Sequence, residues 1–170
     1  MDQYLTAALK AGMDDAILIQ TSEVYTAPWV RLKCQFGCGR YSKSHCCPPH
    51  TPLPDEMRRI LDSYTQAILL HRNWKEGALR IDAFNEAVVA LEKSLFLDGC
   101  YKALGLGSGP CMLCEKCNIS GQCVNSSQAR PSMEACGIDV FRSVRKLGLP
   151  ISVLRDRKQE RHSYGLVLVE

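Results

Sequence analysis

The chain has 170 residues, 46% of them hydrophobic and 23% charged, with a formal net charge of +3 and ten cysteines. That length suits one domain burying roughly 70% of the surface its unfolded form exposes, so cross-links are not needed to hold it. The small charge argues against a nucleic-acid or membrane-surface binder, and no apolar run is long enough to cross a bilayer.

Residues 3–11 read as a short helix and Ala16–Thr21 as a buried strand. A cysteine-rich stretch, 34–47, then interrupts the α/β patterning. Behind it Thr51 is expected to cap a helix whose first positions are Pro52, Leu53 and Pro54. Proline is tolerated in that first turn, and Asp55 and Glu56 suit its positive end. Gln66–Arg72 reads as a second buried strand. The clearest helix begins near Asp82, because Phe84, Val88, Leu91 and Leu95 recur as one apolar stripe. It runs towards Ala103, with Gly99 weakening its last turns. After a second cysteine-rich stretch, 111–123, Ser132 is expected to cap a helix through about Leu147, stopped by Gly148 and Pro150. Ile151–Leu154 and Tyr164–Val169 read as closing strands around a charged loop, 155–162.

This pattern predicts the α/β class, with α+β as the alternative. It describes a single domain, 1–170, with a central mixed sheet flanked by helices and two cysteine-rich metal-binding loops at one end. Met1–Lys10 lacks the basic and apolar regions of a secretory signal, so the expected location is cytoplasmic. Thiols stay reduced there, and cysteine density points to metal or catalysis rather than disulfides.

The strongest motif is Cys111-x2-Cys114-x2-Cys117 followed by Cys123. Three thiolates at this spacing wrap one loop around three iron corners of a cubane, and a more distant cysteine supplies the fourth. Zinc asks for something different: four tetrahedral ligands on one ion, commonly as two separated Cys-x2-Cys knuckles. The other stretch is Cys34-x3-Cys38-x7-Cys46-Cys47-Pro48-Pro49. A cysteine directly before proline matches the fourth-ligand pattern of bacterial ferredoxins. Adjacent side chains in extended backbone point apart, so Cys46 and Cys47 should not both reach one cube. Cys34, Cys38 and Cys47 are therefore assigned to a second cluster, with Cys123 or Cys136 as its fourth ligand and Cys46 unligated. Cys100 reads as a small buried hydrophobe. With two clusters bound, each unit carrying −2, the formal +3 becomes about −1, so apparent basicity is no guide to partners.

Other features have plainer readings. Gly105-x-Gly107-x-Gly109 lacks the context of a phosphate loop and reads as backbone room and amides for the cluster. Arg130-Pro131-Ser132 is either an anion-orienting corner or a structural cap with a buried arginine. His45, beside Cys46, reads as a loop residue or hydrogen-bond donor behind the ligands rather than a ligand. The run Arg155–Arg161 reads as a solvated hairpin tip, with docking of an acidic redox partner as the alternative.

Four segments, Cys34–Pro49, Gly109–Cys123, Arg130–Val140 and Tyr164–Leu168, together resemble an uncharacterised family of predicted metal-binding proteins. The resemblance spans nearly the whole chain. It implies metal, iron–sulfur in kind, and an anaerobic bacterial or archaeal host; it implies no substrate. The resulting expectation is an iron–sulfur protein with two [4Fe–4S] clusters, acting in electron transfer with a redox partner protein. The alternatives are a zinc-stabilised interaction module and an iron–sulfur enzyme with one open iron.

Overall fold

Five consecutive buried residues, Ala67 to His71, demand a strand covered on both faces. In the computed structural model, which describes residues 1–75, 79–156 and 159–170, they lie in β2 (Gln66–Trp74). β1 (Asp15–Gln20) pairs on one side of it and β4 (Arg161–Leu168) on the other, with β3 (Leu104–Leu106) outside β4, giving the order β1-β2-β4-β3. The helix-flanked α/β architecture is as expected, but the sheet is not mixed: all three ladders are antiparallel. The register shows why. Gln20 pairs with Gln66, and the Thr21 amide donates to the Thr65 carbonyl at 3.0 Å. The whole excursion from 21 to 65, carrying the first cysteine stretch, therefore leaves and re-enters at one end of the sheet, which an antiparallel pair allows and a parallel pair does not.

Period-2 alternation splits the strand residues between two cores. On one face, α1 (Asp2–Lys10) and α4 (Ile81–Leu97) set Tyr4, Phe84, Val88 and Leu95 against Ile68, Leu70 and Val167. On the other, α3 (Pro54–Asp62) and α5 (Val140–Lys146) set Met57, Leu61 and Val144 against Leu69, Leu166 and Leu168. Each such fully buried side chain is worth about 1.5–3 kcal/mol of transfer free energy. Among the described residues no helix is long and apolar enough to cross a membrane.

Several expected elements differ. A helix not anticipated, α2 (Pro28–Gly37), carries Cys34; Pro28 opens it, and Val30 is its one buried residue. Thr51 does not cap α3. Leu53 does, its amide held by Glu56 Oε2 at 2.8 Å, and the Thr51 hydroxyl donates instead to the Ala135 carbonyl at 2.5 Å. The helix expected from Ser132 is split into a 3₁₀ turn, Glu134–Cys136, and α5, because Gly137 between them has φ +77°. A Cβ there would stand 2.6 Å from Pro54 Cγ, so only glycine fits. Asp139 caps α5 by accepting from the Arg142 amide at 2.9 Å. Ile151–Leu154 forms no strand. Of the expected charged loop 155–162, residues 157 and 158 lie outside the described residues, and Arg161 and His162 already belong to β4.

Candidate metal centre

The second cysteine stretch is a loop whose two ends are pinned together. Beyond β3, the Gly107 amide donates to the Pro131 carbonyl at 2.8 Å, and the Met133 amide donates back to Gly107 at 3.1 Å. Arg130, just before the return, donates to both carboxylate oxygens of Glu92 on α4 at 2.6 Å each. Glu92 also accepts the Gly105 amide at 2.8 Å. Glycine is needed here for close approach: a Cβ on Gly105 would sit 2.7 Å from Glu92 Oε2, and one on Gly107 would collide with Asn85. The amides of Gly105, Gly107 and Ser108 are thus spent on Glu92, Pro131 and Asn85 rather than on a bound group. Arg130 is the structural arginine of the two readings.

The pinned loop folds back on the first stretch. Cys111, Cys114, Cys117 and Cys123 line one small cavity together with Cys46. Sequence reasoning had left Cys46 without a role, because nothing in linear spacing brings residue 46 to residue 111. The two thiols interact directly. The hydrogen bond from Cys46 brings the Cys111 thiol down to about 6, helped by the Leu113 amide and by Arg40, while Cys46 itself is pushed up. Asn125 Nδ2 donates to Cys114 Sγ at 3.0 Å. His45 Nε2 donates to the Asn118 carbonyl at 2.8 Å, so it ties the two stretches together, in keeping with a supporting role. Arg40 and Lys43 line the same cavity, and among the described residues none that lines it is acidic.

A second set forms on the other side of Cys46. Cys34 lies in the last turn of α2 and Cys38 follows its end, the Cys38 amide donating to the Cys34 carbonyl at 3.2 Å. The charges of both bear on the Cys47 thiol, which burial pushes up. The neighbours Cys46 and Cys47 thus belong to different sets, not through extended backbone but from a turn in which the Cys47 amide donates to the Ser44 carbonyl at 3.0 Å. Arg31, one turn before Cys34, fixes this corner by donating to Thr51 Oγ1 at 2.8 Å and to the Ala135 carbonyl at 3.2 Å. Of the two cysteines considered to complete this set, Cys123 lies in the first. Cys136 feels Arg31 and Glu134, as Cys34 does, yet its thiol is packed in the apolar core and burial pushes it up to about 12. Cys100 packs at the edge of the α1–α4 core.

Five thiols therefore line one space, with cations and amide donors close to it, and Cys34, Cys38 and Cys47 lie near enough for their charges to interact. Among the described residues no group of three or more His, Cys, Asp or Glu side chains stands placed to hold a single ion. Thiols as donors suit a soft metal.

Residues 17–169 match a protein family described as "Predicted metal-binding protein (DUF2284)". No curated protein and no solved structure matches the chain.

Proposed function

The chain belongs to this family of predicted metal-binding proteins, and on that premise we propose that it is an iron–sulfur protein, an electron-transfer or redox module with two cluster sites. The observation that carries the reading is the sorting of eight thiols from two stretches into two sets. Four of Cys46, Cys111, Cys114, Cys117 and Cys123 hold one group, and Cys34, Cys38 and Cys47 hold the other. A spread donor set with a third regularly spaced cysteine favours a polynuclear cluster over a zinc knuckle. A bound cluster supplies one-electron chemistry. The chain's own residues set its potential: Asn125 at Cys114, the Leu113 amide at Cys111, and Arg40 and Lys43 beside them offset negative charge. A redox partner protein completes such a role.

One observation favours a second reading. The Cys34–Cys38–Cys47 set has three thiols where a closed cubane has four, and Cys34 and Cys38 border a cavity. An iron without a thiolate there would make this site catalytic rather than a carrier.

Anaerobic purification followed by iron and acid-labile sulfide analysis tests the proposal. The expected content is roughly eight of each per chain. Zinc without sulfide under strict anaerobic handling would overturn it in favour of a structural zinc module. Cyanide or substrate-like ligands shifting the spectrum of one cluster alone would select the catalytic reading.

A further inference from the structure

A cavity of about 690 Å³ opens on the α3–α5 face of the sheet, beside the N-terminal end of β4. Its volume falls within the roughly 300–1,000 Å³ of small-molecule sites, and its lining is largely apolar. Trp29 of α2, Phe141 of α5 and Leu154 supply walls. Two cations, Lys33 and Arg161, also line it, and neither has an ion-pair partner among the described residues. Among the described lining residues Glu134 is the one carboxyl, against the two cations.

The strand register builds a polar corner into the same cavity. Asp15 pairs with His71 and His71 with Tyr164, so the three side chains form a row across β1, β2 and β4. His71, only 4% exposed, is bonded through both ring nitrogens: Nδ1 to Asp15 Oδ2 at 2.6 Å and Nε2 to His162 Nδ1 at 2.9 Å. His162 in turn lines the cavity. A buried imidazole committed on both sides, and stacked at 4.7 Å on Tyr164, holds His162 in one orientation.

We infer that this cavity binds a small organic acid with an apolar or aromatic body, its carboxylate held by Lys33 and Arg161 and its body against Trp29, Phe141 and Leu154. The site adjoins the three-thiol set, because Trp29, Lys33 and Glu134 also line the space beside Cys34 and Cys38. It does not depend on which metal those thiols bind.

The test uses the protein as purified, with 2-naphthoate as probe and neutral 2-naphthalenemethanol as its uncharged counterpart. Calorimetry gives the affinities, and histidine side-chain NMR locates the probe. The naphthoate is expected to bind about tenfold more tightly than the alcohol, the worth of one charge-assisted hydrogen bond, and to shift the His162 resonances. Arg161→Gln should erase that preference while leaving alcohol binding in place. Leu154→Trp, which fills the wall, should weaken both probes. No binding of naphthoate at millimolar concentration, equal affinity for the two probes, or undiminished binding in a folded Leu154→Trp protein would each overturn the inference.

Discussion

The two cysteine sets are built on opposite principles although Cys46 and Cys47, one peptide bond apart, serve one each. The five-thiol set is made by a long loop that the fold ties at its neck through Arg130–Glu92 and Gly107–Pro131. Its sulfurs are met by polar donors, and Arg40 and Lys43 flank them. The three-thiol set sits at the end of a helix, and burial is the first cause raising both Cys34 and Cys47. Its surroundings are a clamp, Arg31 on Thr51 and Ala135, and a cavity. In the second set Cys47 has comparable company, a hydrogen bond with Ser44 and the charge of Arg40.

If the sets are separate, their losses must be separate. The double variant Cys38→Ser/Cys114→Ser should retain almost no iron, while each single variant should keep roughly half with a different residual spectrum. Cys47→Ser should resemble Cys38→Ser. Because five thiols surround the first space and four complete a cube, one of the five single serine variants there should keep its iron. Identical spectra for the Cys38 and Cys114 variants would collapse the two sets into one.

The anchors separate next. Glu92 and Arg130 have side chains only 12% and 18% exposed, and breaking a largely buried pair leaves an uncompensated charge. Glu92→Gln should cost roughly 3 kcal/mol in urea unfolding and loosen the five-thiol loop first, seen as faster chelation of that site. Thr51→Val removes the hydroxyl that bridges Arg31 and the Ala135 carbonyl while their direct 3.2 Å bond remains, and should cost about 1 kcal/mol, with the faster chelation now at the three-thiol site. Equal loosening of both sites in both variants would mean the anchors are not local.

Tuning is a smaller effect. A donor to a ligating sulfur favours the more negative, reduced state, so Asn125→Ala should lower the potential of the five-thiol cluster alone. A bond worth about 1.4 kcal/mol corresponds to about 60 mV for one electron, measurable by redox titration. A shift in the other cluster would show that Asn125 acts through the fold and not through Cys114.

How much of this could be read in the sequence follows from the range of the forces involved. The strand at 66–72 and the apolar stripe from Phe84 to Leu95 are local patterns, and they survive with boundaries moved by a few residues. The Cys111–Cys123 loop was visible for the same reason. Helix α2 was missed because its larger apolar side chains, Trp29, Leu32 and Phe36, are exposed, so no core-facing stripe marks it. The helix from Ser132 was overextended because the φ of +77° at Gly137 and its contact with Pro54 are set by the fold and not by local spacing. The meeting of Cys46 with Cys111, and the row Asp15–His71–Tyr164, depend on loop docking and strand register, which no spacing reveals.

The last difference between the two regions is in their response to pH, a slope rather than a loss. His162 lies on the cavity side, and burial, with His71 beside it, holds its pKa below the ordinary 6.5. A base with a lowered folded value binds fewer protons folded than unfolded in the window just below 6.5. Stability contributed by neutral His162 is therefore present above that window and falls as the pH drops through it. His162→Gln keeps a polar side chain beside His71 but cannot titrate, so its melting temperature should be flatter than the wild type's between neutral and mildly acid pH. The carboxylates Asp14 and Glu160 oppose the shift, so Glu160→Gln should steepen the wild-type slope, since it removes a charge that favours the imidazolium. Binding of 2-naphthoate supplies a new negative charge to the same cavity and should flatten the slope again. A slope unchanged in His162→Gln would place the pH response elsewhere, and one that vanished only with Cys111→Ser would return it to the five-thiol set.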